Sequence, residues 1–498
     1  MRVAVVGSGV TGLAATWLLN EYSPHEAHLY EADGRPGGHA NTVYVTQPGK
    51  EPVAVDTGFI VFNPPTYPNF LRFLALHKHS VEVIKTQMTF SVSRDGGAFE
   101  WAGDGLRSVF CQPRRVFDLG MWRMLFDIMR FNACAVRVLA ENDDLSIGEY
   151  LQREGYSSQF RDDYLIPMTA AVWSTPPDVC AIDFPAKTLI RFMYNHHLLQ
   201  ITGKPSWLTI KGGSKKYVES VLSQLPAAQL HLSTPVHAIW SGEGSTILEM
   251  ATGKRETFDH IIFACHSDDA LRILDAGSGA TPAERETLGA FCWSRNEVWL
   301  HSDESLMPRS RLAWSCWNYI TRTTVDEKGM KKANDPQVSL TDWMNDLQRL
   351  SSQKHGDLFA TLNPLFPPSP TRVLGHYTYA HPVLSANAVR AQRRLAQLNA
   401  QAAEAGSGQH RAFAGAWTRY GFHEDGFVSG LRVAAALPDV APPFAIADAD
   451  VERGEPRVGT MARLFDVLEV VRAFAALLVG RVLFVMITAT SPVDQKMD

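Results

Sequence analysis

Three glycines near the N-terminus constrain this chain more than any other feature. Gly7, Gly9 and Gly12 follow the apolar, β-branched run Val3–Val6 at GxGxxG spacing, and an apolar helix-like segment continues to about Leu19. The first glycine permits a tight turn, the second lets a pyrophosphate approach the backbone, and the third lets the helix pack closely on the strand. Free N–H groups at the helix N-terminus then point at the phosphates. The pattern predicts a strand, turn and helix that bind a dinucleotide.

A second predicted strand strengthens this interpretation. Ala27–Tyr30 has strand composition, and Glu31 follows it at about the twenty-residue offset where a carboxylate can accept hydrogen bonds from an adenosine ribose. Glycine-rich turns are common, so a turn that binds nothing is the alternative. The combination of strand, glycines, helix and acidic residue favours nucleotide binding.

The sequence RPGGH at residues 35–39, followed closely by Thr42, indicates which nucleotide is bound. It resembles the glycine-pair extension of FAD-dependent amine oxidases and carotenoid desaturases, in which a second glycine-rich turn lies beside the diphosphate and ribitol. This resemblance implies FAD. His39 stands where many of these relatives carry arginine. A neutral histidine would donate only one hydrogen bond there, and its protonation would depend on pH.

Composition excludes some classes of partner. The net charge of −5 shows no concentration of basic residues, so a nucleic-acid partner is not expected. The six cysteines form no CxxC pair, and neither a zinc site nor a disulfide framework is predicted. Because the first predicted strand leaves no room for a signal peptide, we expect a cytoplasmic protein, in the cytosol or at the cytosolic face of a membrane.

The C-terminal segment Ala473–Thr490 is nearly all apolar and just long enough to be considered as a membrane span. Arg481 lies in its middle, where insertion would cost roughly 2.5–3.5 kcal/mol. Three alternatives stay open for this segment: a helix packed on the protein or lying in the membrane interface, a tail anchor, and a disordered tail.

At 498 residues the chain fits two or three interwoven domains. The predicted fold class is α/β, with a Rossmann-like FAD-binding domain interwoven with an α+β substrate domain. The expected segments are a first FAD-binding segment (1–75), a helical part of the substrate domain (76–225), an FAD-binding return segment (226–290), an aromatic sheet part of the substrate domain (291–405), a final FAD-binding segment (406–440) and a C-terminal extension (441–498) that contains 473–490.

Two later regions are predicted to return to the cofactor domain. Strand-like runs at 229–239 and 257–265 fit a hairpin that feeds a buried strand. The family resemblance implies that the backbone at Val236 contacts adenine, although plain sheet residues would look the same. At 411–437, a strand ending at Ala414-Gly415 and a helix beginning near Gly426 or Ser429 would aim a helix N-terminus at the flavin and stabilise its reduced form. A helix start with no such role is the alternative.

Further motifs extend the resemblance over most of residues 1–437. They are VDTGFIVFN (55–63), PMTAAVWSTP (167–176), AWSCWNY (313–319), TDWMNDLQ (341–348) and GFHEDGFVSG (421–430). The chain resembles flavin-containing amine oxidoreductases and, more narrowly, a branch of NAD/FAD-binding proteins often found beside cyclopropane-fatty-acid synthase-like methyltransferases. The residues predicted to bind FAD are Gly7, Gly9, Val10, Thr11, Gly12, Glu31, Ala32, Arg35, Gly37, Gly38, His39, Thr42, Gly58, Val236, Gly415, Gly426 and Ser429; no metal site is predicted.

The resemblance implies hydride transfer from a substrate C–H to flavin N5. The branch implies a lipophilic substrate, such as an acyl chain that undergoes desaturation or double-bond isomerisation, and an apolar tail suits contact with a membrane surface. For a base or polar contact we single out His423 and Glu424, with His381 third. Glu424 and Asp425 could instead cap the following helix.

Other functions stay open. Oxidation of an amine or a small hydrophobic metabolite is the second hypothesis, and a flavin-binding lipid carrier without turnover is the third. The lysine that many amine oxidases keep near the flavin cannot be placed, which weakens a literal amine oxidase. An NADPH-using monooxygenase would normally carry a second GxGxxG, and none is found. The aromatic residues between Asn296 and Pro382 fit a sheet core better than a substrate wall.

Overall fold

The structure is a computed structural model that describes residues 1–142, 145–173, 184–200, 203–242, 244–325, 331–332, 337–403, 410–449, 454–456 and 458–471. Its strands are β1 (Arg2–Val6), β2 (Glu26–Tyr30), β3 (Thr42–Val45), β4 (Val53–Asp56), β5 (Val61–Phe62), β6 (Val83–Thr86), β7 (Phe90–Arg94), β8 (Phe99–Ala102), β9 (Trp207–Ile210), β10 (Leu230–His231), β11 (Val236–Ser241), β12 (Thr246–Met250), β13 (Arg255–Phe258), β14 (His260–Phe263), β15 (Cys292–His301), β16 (Trp317–Thr321), β17 (Thr324–Val325), β18 (Lys331–Lys332), β19 (Leu340–Trp343), β20 (Phe359–Leu362), β21 (Val373–Val383) and β22 (Arg411–Phe413).

The α-helices are α1 (Val10–Tyr22), α2 (Pro68–Leu76), α3 (Leu106–Val109), α4 (Leu119–Cys134), α5 (Ile147–Arg153), α6 (Ser158–Phe160), α7 (Ile166–Trp173), α8 (Ala186–Asn195), α9 (Lys215–Leu222), α10 (Ser267–Ala276), α11 (Pro282–Leu288), α12 (Met344–Leu347), α13 (Ser352–His355), α14 (Ala386–Ala403) and α15 (His423–Ala435). Residues 460–471 are also helical.

A parallel five-stranded sheet with the order β10-β2-β1-β14-β22 forms the first layer. Val3, Val5 and Leu29 are fully buried in this sheet, as expected of strands that are covered on both faces. The strands come from three parts of the chain, within 1–75, 226–290 and 406–440. The predicted α/β class with a Rossmann-like domain is therefore confirmed.

Helices α1 and α15 pack against each other through glycine. A Cβ atom on Gly430 would lie 2.2 Å from the Thr11 carbonyl oxygen, and one on Gly426 would lie 2.7 Å from a Val10 methyl. Only glycine permits this close approach, which brings both helix N-termini to one edge of the sheet. The predicted start of α15 was wrong: the helix begins at His423, because the Asp425 carboxylate accepts the Phe422 N–H at 3.0 Å and caps the first turn.

A second sheet of seven strands has the order β21-β15-β20-β19-β16-β7-β8. The strands of 291–405 supply most of it, as the aromatic pattern suggested. The hairpin β7–β8 comes from 76–225, which we predicted as helical, because β7 pairs in parallel with β16. That segment also contains helices α3 to α9.

The predicted apolar segment Ala473–Thr490 lies outside the described residues. Among the helices of the described ranges, none has the length and apolarity needed to cross a bilayer.

Candidate active site

The N-terminus of α1 forms one wall of the site. Gly7 has φ +105°, and a Cβ on Gly12 would lie 1.8 Å from the Gly7 carbonyl oxygen, so both positions require glycine. Gly9 differs, because no atom lies within 4 Å of its Cβ position. No side chain caps this helix. The first turn therefore offers backbone N–H groups to an open space, which fits a diphosphate.

Glu31 lies beside this turn. Its carboxylate accepts hydrogen bonds from the Ser8 N–H (2.9 Å) and the Ser8 hydroxyl (2.5 Å). The Thr234 N–H donates to the Glu31 carbonyl at 2.8 Å, so the chain just before Val236 lies against the end of β2. The predicted acidic residue and the predicted adenine contact thus lie at the same edge of the first sheet.

The second glycine turn packs on the first. Gly37 and Gly38 have φ +108° and +55°, and a Cβ on Gly38 would lie 3.1 Å from the Gly9 Cα. The Arg35 guanidinium donates to the Gly38 carbonyl oxygen at 2.8 Å. Arg35 therefore holds the turn in shape, and Ala32 beside it is exposed.

His39 follows this turn and contacts the second sheet. Its ring centroid lies 4.9 Å from Tyr379 and 5.3 Å from His381. Burial, followed by the neighbouring histidines, holds the pKa of His39 well below its ordinary value, so the ring is neutral. Its Nε2 atom is shielded from solvent and has no hydrogen-bond partner in the described part of the chain. An orphaned polar atom next to the glycine turns fits a bound cofactor that supplies its partner.

Two further predicted cofactor residues serve packing. The Thr42 hydroxyl donates to the buried Asp56 carboxylate at 2.5 Å. A Cβ on Gly58 would lie 2.4 Å from the His39 carbonyl oxygen, so Gly58 lets two loops meet at the cavity.

The C-terminal predicted residues also reach the site. The Gly415 N–H donates to the Ser429 hydroxyl at 3.1 Å, which ties the end of β22 to α15. Gly426 lies inside α15 against α1, so its role in the structure is helix packing. The residues of both predicted glycine regions therefore meet around one opening.

A cavity of about 340 Å³ extends from this opening to the second sheet. Its lining is mainly aliphatic and aromatic, and it includes Phe59, Ile60, Tyr67, Trp173, Trp207, Trp293, Val298, Trp317, Leu340, Leu362, Tyr379, Trp417, Tyr420 and Phe422. The aromatic region thus contributes to a cavity wall as well as to the core. Neither lysine nor arginine is found among the described residues of the lining.

His423 lies in this lining. Its ring stacks on Phe59 with centroids 3.7 Å apart, and its Nε2 lies 2.7 Å from the Tyr217 hydroxyl. Burial lowers the pKa of His423 to about 3. The imidazole is therefore neutral at physiological pH and too weak a base to take a proton readily.

Glu424 points to another part of the molecule. Its carboxylate accepts the backbone N–H groups of Asn69 (2.9 Å) and Phe70 (3.0 Å) and the Asn69 side-chain amide (2.7 Å). These donors belong to the first turn of α2, so Glu424 caps that helix and does not line the cavity. Burial raises the pKa of Glu424 to about 7, because it outweighs the hydrogen bonds, which lower the pKa.

This placement gives a test that separates a structural from a catalytic role. In Glu424→Gln one carboxylate oxygen becomes an amide donor, which leaves an N–H of Asn69 or Phe70 without an acceptor. We expect the free energy of unfolding to fall by about 1–3 kcal/mol, measured by urea denaturation. The rate of flavin reduction should not change. A large loss of that rate in a stably folded variant would contradict the capping role.

His381 lies in the cavity with a fixed tautomer. The Asn296 amide nitrogen donates to the Ser294 carbonyl oxygen (3.3 Å) and lies 2.8 Å from the His381 Nδ1. Because this nitrogen is a donor, Nδ1 is the acceptor and the ring carries its proton on Nε2. Burial lowers the pKa of His381 to about 4. His381 is therefore a neutral residue of the lining whose ring proton is on Nε2.

Sequence reasoning missed the carboxylic acid that the described residues contribute to the lining. Asp342 lies on β19 between Leu340 and Met344 and faces the cavity. The TDWMNDLQ motif contains it, and an acidic residue between Leu340 and Trp343 was the available signal. Its burial depends on strands far away in sequence, so the local pattern alone did not identify it.

Comparison with known protein families agrees with a flavin site at the glycine turns. The sequence profile of the family described as flavin containing amine oxidoreductase matches residues 10–438. No curated protein sequence matches the chain significantly.

Several solved structures share the fold. A cyclohexylamine oxidase from Brevibacterium oxydans IH-35A is 13% identical with a TM-score of 0.56, and a CLA-producing fatty acid isomerase from P. acnes is 12% identical with a TM-score of 0.57. Each alignment covers 87% of this chain and 98% of the other. A reduced UDP-galactopyranose mutase is 15% identical with a TM-score of 0.58, over 91% of this chain and 96% of the other. The family match over most of the chain, around a site built to hold a flavin, shows that this protein belongs to the flavin-containing amine oxidoreductases and is an FAD-dependent oxidoreductase.

Proposed function

We propose that this oxidoreductase acts on a lipophilic substrate, such as an acyl chain that it desaturates or whose double bond it moves. The observation that carries the proposal is the mainly apolar and aromatic lining of the cavity that opens at the glycine turns. Such a lining gains free energy by removing apolar surface from water, at about 25 cal/mol per Å². The narrower family resemblance of the sequence points to the same substrate class.

We assign different roles to the flavin and to the side chains that line the cavity. A bound flavin supplies the acceptor for a hydride from a substrate C–H bond. Phe59, Trp317 and Leu362 exclude water and orient an apolar chain. His381 offers its Nε2–H as a donor to a polar group, and the low pKa of His423 keeps that residue uncharged. Membership in a family of oxidoreductases disfavours the hypothesis that the protein is a lipid carrier without turnover.

An anaerobic titration tests the proposal. The purified protein should show a flavin absorption spectrum, and an acyl lipid that is desaturated should bleach the oxidised band. Moving a double bond returns the hydride to the substrate, so that reaction is detected by the new double-bond position in the product. Amines are titrated in parallel. Bleaching by an acyl lipid supports the proposal, whereas bleaching by short polar amines alone would contradict it.

Oxidation of an amine or small hydrophobic metabolite is the second candidate. The observation that favours it is Asp342, an acidic residue in a cavity without lysine or arginine among its described residues. A protonated amine is the chemical complement of such a group.

Contact with a membrane surface is also proposed, at the cytoplasmic location expected from the sequence. On α4, Leu119, Trp122 and Met129 lie at helical spacing and are 84%, 45% and 44% exposed, and Phe117 just before them is 89% exposed. We call these four residues the apolar stripe. Exposed Arg107 lies near it in sequence and has no hydrogen bond or ion pair to a described residue. Apolar and aromatic side chains beside basic ones are typical of helices that bind anionic bilayer surfaces.

The helix at 460–471 continues this surface. Phe465 packs on Phe126 of α4 with ring centroids 5.5 Å apart, and Asp466 pairs with Arg137 at 2.7 Å. Leu464 and Leu468 of the same helix are exposed. This docking places a second exposed apolar face beside the apolar stripe.

Serine substitutions test the membrane proposal. Phe117→Ser with Leu119→Ser in the full-length protein should weaken sedimentation with phosphatidylglycerol-containing vesicles at least about tenfold, since each buried side chain of this size contributes about 1.5–3 kcal/mol. Leu312→Ser with Phe366→Ser is the matched control, because both residues are exposed elsewhere. Equal binding of the two double variants would contradict a role for the apolar stripe.

A further inference from the structure

Asp342 is the one carboxylic acid in the cavity lining among the described residues. On β19 it is paired across the sheet with Trp317 of β16 and Ala360 of β20, and all three residues line the cavity. Cross-strand neighbours hold their Cβ atoms about 4.5–5.5 Å apart. The carboxyl group is therefore fixed in a rigid part of the sheet with an indole ring at its side.

The Asp342 side chain lacks the partners that other buried acids have. Its Oδ1 atom is shielded from solvent and has no hydrogen bond to the described residues. By contrast, Asp56 accepts from Thr42, Ser214 and Gln348 at 2.5–3.2 Å. Glu424 accepts three hydrogen bonds of its own. An unsatisfied buried carboxyl costs free energy that folding does not recover, which indicates a role in binding or chemistry.

The described residues of the lining supply no strongly basic side chain to offset this group. Neither lysine nor arginine is among the described lining residues, and burial alone raises the pKa of Asp342 to about 8. Burial also lowers the pKa of four histidines of the lining, His39, His266, His381 and His423, which disfavours their charged form. A ligand that carries a positive charge would supply a partner for the ionised form of Asp342.

The position of Asp342 suggests which part of a ligand it meets. His381 lies near the glycine turns on β21 and is paired with Ser294 of β15. Asp342 of β19 is paired with Ala360 of β20, and Ala360 is paired with Leu300 of β15. The two residues are thus separated by three strand spacings, about 14 Å, and by six residues along the strand, about 20 Å. Val298, Leu340 and Leu362 line the cavity in between. We call the two glycine turns, at Gly7–Gly12 and Gly37–Gly38, the cofactor cradle. Asp342 lies at the end of the cavity remote from this cradle.

We propose that Asp342 binds an ammonium group at the far end of an otherwise apolar substrate. This inference rests on the proposed function, because it assumes that the apolar cavity holds the substrate. An ammonium would give the carboxylate a charge-assisted hydrogen bond, and the neighbouring Trp317 ring can add a cation–π contact. The residue selects and anchors the substrate by its head group.

The test compares three eight-carbon ligands that differ only in their head group. Flavin-loaded full-length protein is titrated with n-octylamine, n-octanol and n-octanoate at pH 8, and isothermal titration calorimetry gives each Kd. Wild type should bind octylamine about tenfold more tightly than octanol, with octanoate weakest. In Asp342→Asn the preference for octylamine should vanish and octanoate should gain affinity. This gain shows that the variant is folded.

Asp346→Asn is the control. Asp346 lies four residues after Asp342, and its side chain does not line the cavity, so this variant removes the same charge from outside the cavity. It should bind all three ligands as wild type does. If octanol binds and octylamine binds no better, the Asp342 proposal is overturned while the apolar cavity stands. If Asp342→Asn keeps the octylamine preference, the proposal is overturned as well. If none of the three ligands binds, both proposals fail.

Discussion

Replacing Gly9 with alanine should leave the fold intact and remove the flavin. The backbone at Gly9 has φ −63°, which alanine adopts without strain, and nothing lies within 4 Å of the added methyl group. That methyl would occupy the space in front of the α1 N-terminus where the diphosphate is expected. Loss of two charge-assisted hydrogen bonds, at about 1.5–3 kcal/mol each, weakens FAD binding at least about 100-fold.

The flavin-to-protein absorbance ratio after purification measures this effect, and thermal unfolding of the apoprotein measures the fold. Gly105→Ala is the control, because this glycine also has open space around its Cβ position but lies far from the cradle in sequence. Full flavin content in Gly9→Ala would contradict the cofactor placement. Gly12→Ala should instead fail to fold, because its methyl would overlap the Gly7 carbonyl.

The affinity for an alkylammonium ligand should rise about 50-fold between pH 6 and pH 8. With the pKa of Asp342 raised to about 8 by burial, roughly 1% of the acid is ionised at pH 6 and roughly half at pH 8. An ammonium binds the ionised form, so its affinity follows that fraction upward with pH. A primary alkylammonium keeps its charge below about pH 10.

His381 and His423 of the lining stay neutral in this range, because burial lowers their pKa values to about 4 and about 3. Calorimetric titration of octylamine at several pH values measures the slope, and octanol is the uncharged reference. Asp342→Asn should give a flat profile. A slope retained in that variant would assign the titration to another group.

The cofactor cradle could be predicted from sequence because its signals are local. The glycines of α1, the strand before them and Glu31 lie within thirty-one residues, and their spacing alone defines the turn. The glycine pair at 37–38 was identified through a resemblance, and the structure places it directly on the first turn. The α/β class followed from the same segments.

The features that the sequence did not predict depend on contacts between distant segments. Glu424 accepts a hydrogen bond from Asn69, which lies 355 positions away in the sequence. A local sequence pattern cannot indicate a helix cap that comes from so distant a segment. The β7–β8 hairpin was missed because pairing with β16 decides its conformation. Asp342 lies in a strand whose sequence, LTDW, does not show which face is buried. Only the assembled sheet shows that this side chain lines a cavity and that its Oδ1 atom has no hydrogen bond to the described residues.

The strand order of the first sheet has a consequence for biosynthesis. The central strand β1 emerges from the ribosome first, but its neighbour β14 follows more than 250 residues later and the edge strand β22 more than 400 residues later. At about 5–20 residues per second, the nascent N-terminal strand waits tens of seconds for these partners. The two helices that frame the predicted FAD site, α1 and α15, therefore meet only after more than 400 further residues have been synthesised.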